Sequence, residues 1–230
     1  MRRRLALLAA LLPVLAIGCA TGVAGAASRE VAVDVGHSLE KPGVISITGV
    51  PEFEYNKTLA AKVRETLEAA GLRVRMIGER GDFADLYARV SAARGSDLFV
   101  SIHHDSVQER YLPAADKFAG FSLFVSRNNP QVAKSLACAS AIGAEMLKAG
   151  FARSLYHADP VLGESRPFAD EANGVHYFDN LAVARSATMP ALLFEAGVIV
   201  NRDEEARLAR PETQAVIANA IAQGVSRCLK

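Results

Sequence analysis

Three runs in this chain are apolar at nearly every position: Val31-Ala32-Val33-Asp34-Val35, Leu98-Phe99-Val100-Ser101-Ile102 and Ala191-Leu192-Leu193-Phe194. A strand with one wet face alternates apolar and polar side chains. Runs that lack the alternation are buried on both sides, which is the condition of a parallel sheet between layers of helices. The intervening stretches carry helical spacing. Leu59, Val63 and Leu67 recur every fourth residue, which predicts a helix from about Glu54 to Ala70 with Gly71 as its stop. Asp82 is a candidate cap for a second helix with Leu86 and Val90 on its inner face, ending at Gly95. Asn129-Pro130 opens a third that runs to Ala149, and helices at about Asp203–Ala209 and Glu212–Cys228 close the chain. With Leu72–Ile77, Phe121–Val125 and Leu181–Ala184 as further strands, the expectation is a single α/β domain. Its mostly parallel, six-stranded sheet would be covered by helices on both faces.

The N-terminus reads differently. Arg2, Arg3 and Arg4 precede the apolar run Leu5–Ile17, and small residues follow to Ala27. That order describes a secretory signal over residues 1–27, leaving a domain of residues 28–230. Leu15-Ala16-Ile17-Gly18-Cys19 also resembles a lipoprotein signal, so contact with a membrane is expected only if Cys19 is lipidated. The expected location is the periplasm or the cell exterior. Without the leader the chain holds 23 basic and 25 acidic residues, which gives no electrostatic basis for binding nucleic acid. Cys138 and Cys228 then remain as either one disulfide or two buried thiols.

In open α/β sheets ligands gather beyond the carboxyl ends of the strands. His37 follows the first strand, His103 ends the third, Glu195 ends the last, and Glu54 starts the first helix. Two imidazoles and a carboxylate suit a catalytic zinc ion, which takes three protein ligands and a water. In that reading His37, Glu54 and His103 hold the metal and Glu195 handles protons. Each residue also has a plainer reading: a histidine as a satisfied structural side chain, Glu54 as a complement to its helix terminus. Glu195 is harder to dismiss, because a carboxylate at the end of an apolar strand is costly unless paired or metal-linked. His104 competes with His103 on paper, but strand alternation lets only one of them face the metal.

Four segments in order carry a resemblance: Val33-Asp34-Val35-Gly36-His37, Glu54-Tyr55-Asn56-Lys57-Thr58-Leu59-Ala60, Asp97–His103, and Met189–Gly197 followed by Asn201. Over residues 31–228 the chain resembles the zinc-dependent N-acetylmuramoyl-L-alanine amidases of the type 3 family, which cut peptidoglycan. The resemblance places the family's metal ligands on His37, Glu54 and His103 and its catalytic glutamate on Glu195. It implies a zinc cofactor, peptidoglycan as substrate and a protein activator as a partner. The chain departs from the family at Gly36-His37-Ser38-Leu39, usually Gly-His-Gly-Gly, and at Ile102-His103-His104-Asp105, usually Ile-His-Ala-Asn. A zinc peptidase or deacylase acting on another amide, and a non-catalytic wall-binding module, are the alternatives. The long irregular stretch Phe151–Asn180 is expected to serve as a lid or a substrate-reading loop, with Glu164 and Glu171 as candidates to cap the metal's open position.

Overall fold

The computed structural model describes residues 28–161 and 164–230. The expected leader, Cys19 included, lies outside the described residues. Seven strands form one sheet: β1 (Glu30–Val35), β2 (Arg73–Ile77), β3 (Leu98–Asp105), β4 (Ser122–Val125), β5 (Phe168–Asp170), β6 (Val175–Tyr177) and β7 (Ala191–Val198). Their spatial order is β2-β1-β3-β7-β4-β6-β5. The β1–β2, β1–β3, β3–β7 and β4–β6 pairs are parallel. The β4–β7 and β5–β6 pairs are antiparallel. The helices are α1 (Glu52–Ala69), α2 (Leu86–Ala92), α3 (Val132–Lys148), α4 (Ala182–Arg185), α5 (Arg202–Leu208) and α6 (Pro211–Cys228). Among the described residues no helix is long and apolar enough to cross a membrane.

The layered α/β architecture is the expected one, but the strand count is seven rather than six. Leu181–Ala184 is not a strand; it forms α4. A four-residue apolar run has no period to distinguish strand from helix, and alanine favours helix. The side-chain amide of Asn129 donates to the carbonyls of Ala184, Ala187 and Met189 and fixes the helical turn there. The two added strands, β5 and β6, have three residues each, too few for a pattern to register. Helix α2 starts later than expected. Its cap is Asp85, which accepts from Tyr87 N at 2.8 Å, while Asp82 pairs with Arg80.

Alternation sorts the strand residues into two layers. Val33, Val100, Leu192 and Phe194 pack with Leu59, Ile142 and Ile221 on the face covered by α1, α3 and α6. Ala32, Phe99, Ala191 and Leu193 pack with Val90 and Val183 on the other, under α2 and α4. Burying each large apolar side chain contributes about 1.5–3 kcal/mol. The same period places Asp34, Ser101, His103 and Glu195 on the second face. A disulfide between Cys138 of α3 and Cys228 of α6 ties the first layer together.

Candidate metal centre

The decisive local feature is where α1 begins. Pro51 precedes it with extended backbone, and the first helical residue is Glu52, not Glu54. Residues two apart on a helix stand about 200° apart around its axis. Glu52 is therefore buried against the sheet edge while Glu54 is exposed to solvent. Glu54, expected as a ligand, lies away from the cluster that the structure brings together. His37, Glu52 and His103 offer ligand atoms that all lie within 4.8 Å of one another, and Glu54 is not among them. His37 Nε2 is 2.9 Å from one Glu52 oxygen, and His103 Nδ1 is 3.0 Å from the other.

Backbone geometry makes this approach possible. A side chain on Gly36 would come within 2.3 Å of the His103 ring, and one on Gly43 within 2.4 Å of the Glu52 carboxylate. His37 itself adopts a positive φ of 69°, a conformation that costs an L-residue roughly 1–2 kcal/mol. Glu52 is braced on several sides. Asn56 Nδ2 donates to it at 3.0 Å, and the backbone amides of Val44 and His104 at 3.3 Å. The loop leading into α1 is held in turn by Glu205 of α5, which accepts from Tyr55 Oη at 2.7 Å and from the Thr48 hydroxyl. Burial pushes the Glu52 carboxyl up, but hydrogen bonds from His103 and His37 outweigh it and hold the group well below the usual carboxylate range.

His104 points to the opposite face, as alternation requires. It is buried beside α1, its Nδ1 is 2.8 Å from Asn56 Oδ1, and burial lowers its pKa to about 4. Glu195 is the register partner of His103 on the adjacent strand. Its Oε2 is buried with no hydrogen-bond partner among the described residues. Burial, then the negative charges of Asp105 and Glu52, raise its pKa well above the ordinary carboxylate value.

A cavity of about 540 Å³ opens beside Glu195, lined by His103, Asp105, Phe124, His157 and Arg166 among others. Its far wall comes from the 151–180 region. His157 bridges Asp105 at 2.6 Å and Glu164 at 2.9 Å, and Arg166 pairs with Glu164 at 2.6 Å. Burial pulls His157 down, but the charge of Asp105 and hydrogen bonds to both carboxylates carry it up to about 9. Glu164 is thus committed to His157 and Arg166 rather than to the metal cluster, and Glu171 is exposed in a turn. Sequence reasoning missed Glu52, although Pro51 at a helix entrance was its signal. It also missed His157 and Arg166, which no spacing marks.

The sequence profile described as N-acetylmuramoyl-L-alanine amidase matches residues 31–227. The chain belongs to that family. Among curated amidases it is 29% identical to AmiC of Neisseria meningitidis over 85% of this chain and 51% of that protein. It is 27% identical to AmiA of Escherichia coli over 86% and 75%. The chain thus spans about half the length of the first relative and three quarters of the second. Among solved amidases, the catalytic domain of CwlV from Paenibacillus polymyxa superposes with a TM-score of 0.69 at 27% identity, covering 87% of this chain and 98% of that one. Ami1 from Mycobacterium smegmatis shares the fold with a TM-score of 0.72 at 21% identity, covering 87% and 96%.

Proposed function

We propose that the domain hydrolyses the amide between the lactyl group of N-acetylmuramic acid and L-alanine in peptidoglycan. The observation that carries this reading is the cluster of His37, Glu52 and His103 beside a cavity that His103 and Glu195 both line. Two imidazoles and one carboxylate fit the donor set of a catalytic zinc ion, and Gly36 and Gly43 leave the room that their approach needs. When bound, zinc polarises a carbonyl and lowers the pKa of water to about 7.

The chain's own groups do the rest. Glu195 Oε2 takes a proton from the attacking water and returns it to the nitrogen that leaves. Burial raises its pKa, which favours its holding the proton until the amine leaves. Since the leaving amine belongs to the stem peptide, the peptide lies on the Glu195 side, in the 540 Å³ cavity. The muramoyl side then faces a smaller cavity of about 180 Å³ beyond His37, lined by Ser38, Phe83, Leu86 and Val183 among others. The Cys138–Cys228 bridge and the leader pattern support a location in the cell envelope.

Digestion of purified sacculi followed by mass spectrometry tests the reading. Free peptides beginning in L-alanine and intact sugar chains are the expected products. Glu195→Ala should lower the rate by at least about 100-fold while leaving zinc bound. Cleavage at any other amide, or an unchanged rate in that variant, would count against it.

A further inference from the structure

Arg89 is the largest fully buried side chain among the described residues, with 2% of its surface exposed. It reaches from α2 to the carboxyl end of β1. One terminal nitrogen donates to Asp34 Oδ1 at 2.6 Å and to the Val35 carbonyl at 2.6 Å. The other donates to the carbonyls of His37 and Phe83. Asp34 is held from its other side by the Ser101 hydroxyl at 2.6 Å. The charge of Arg89 is largely offset by the ion pair with Asp34. What Arg89 adds is geometry.

Between Val35 and His37 the chain leaves the extended strand and enters a left-handed turn at a residue that is not glycine. That turn brings the carbonyls of Val35 and His37 to one side, where a single guanidinium collects both. An arginine fork can do so with fixed directions; a lysine ammonium, a point charge on a flexible stem, cannot. We infer that Arg89 is a positioning residue: by gripping the His37 carbonyl it holds the His37 backbone in the conformation that presents Nε2 to Glu52, and so sets the metal affinity from a helix that contributes no ligand. The inference rests on the metal-centre reading above.

Zinc affinity, measured by competition with a chromophoric chelator, tests it in the full chain. Arg89→Lys keeps a cation beside Asp34 but loses the fork. It should fold by circular dichroism, bind zinc about 10–100-fold more weakly, and shift the visible spectrum of the cobalt-substituted protein. Val90→Ala, a cavity mutation on the same helix, should lower the melting temperature yet leave zinc affinity within about twofold. Should Arg89→Lys not fold, the double variant Asp34→Asn/Arg89→Gln, which buries no charge, carries the same comparison. Zinc affinity in the Arg89 variants equal to wild type overturns the inference, and so does an equal loss in Val90→Ala. A wild-type protein that binds no zinc defeats the metal-centre reading itself, a result visible before any variant is made.

Discussion

Exchanging one carboxylate at a time near the start of α1 separates the two candidate ligands. Glu52 offers one of the three candidate ligands in the cluster and touches both imidazoles. A structural zinc site is worth about 10–16 kcal/mol over four ligands, or roughly 3 kcal/mol for each. Glu52→Ala should therefore weaken zinc binding by at least about 100-fold, since about 1.4 kcal/mol is a factor of ten. Glu54 is exposed and its substitution removes nothing from the cluster. Glu54→Ala should change zinc affinity by no more than about twofold, as surface changes away from special features generally do. The assay is metal content after dialysis against a weak chelator, with affinity from competition and folding from circular dichroism. Retention of zinc by Glu52→Ala together with its loss in Glu54→Ala would refute the ligand assignment and restore the one that motif matching first suggests.

Two further outcomes concern stability. The Cys138–Cys228 bridge closes a loop of 90 residues, so the chain-entropy relation gives about 4–5 kcal/mol, and Cys138→Ser/Cys228→Ser should lower the urea-unfolding free energy by about 2–5 kcal/mol. An unchanged midpoint would show that the bridge does not constrain the unfolded chain. His157 has a folded pKa raised to about 9 from an ordinary 6.5. A raised pKa contributes stability that is complete below the unfolded value and disappears as pH climbs through the folded one. Unfolding free energy should then fall by up to about 3 kcal/mol between pH 6 and pH 10 through this group, and the step should shrink in His157→Gln. An identical pH dependence in the two proteins would mean that His157 is not charged in the folded state.

The parts of this molecule that were legible in its sequence are those governed by period. Val33, Val100 and Leu192 announced a doubly covered sheet because burial on both sides erases alternation. His37, His103 and Glu195 were legible as ligand and base candidates because strand ends are where such folds gather chemistry. The pleat that lets only one of His103 and His104 face the candidate site points His104 at α1. The errors fell where a boundary, not a period, decides. Moving the helix start by two residues turned Glu54 outward and Glu52 inward, and four apolar residues after Asn180 had no length in which to declare themselves a helix. His157 and Arg89 act through partners 52 and 55 positions away, separations that neither spacing nor propensity reports.

The strand that bears Glu195 is the last in the chain, yet it lies in the middle of the sheet, between β3 and β4. As the polypeptide is synthesised, the three side chains of the candidate metal site emerge first and Glu195 only near the end. Until β7 slots into the gap, β3 has an open edge and Glu195 has no place beside His103. On the proposed reading, a product truncated anywhere before residue 195 lacks that carboxylate and should be inert.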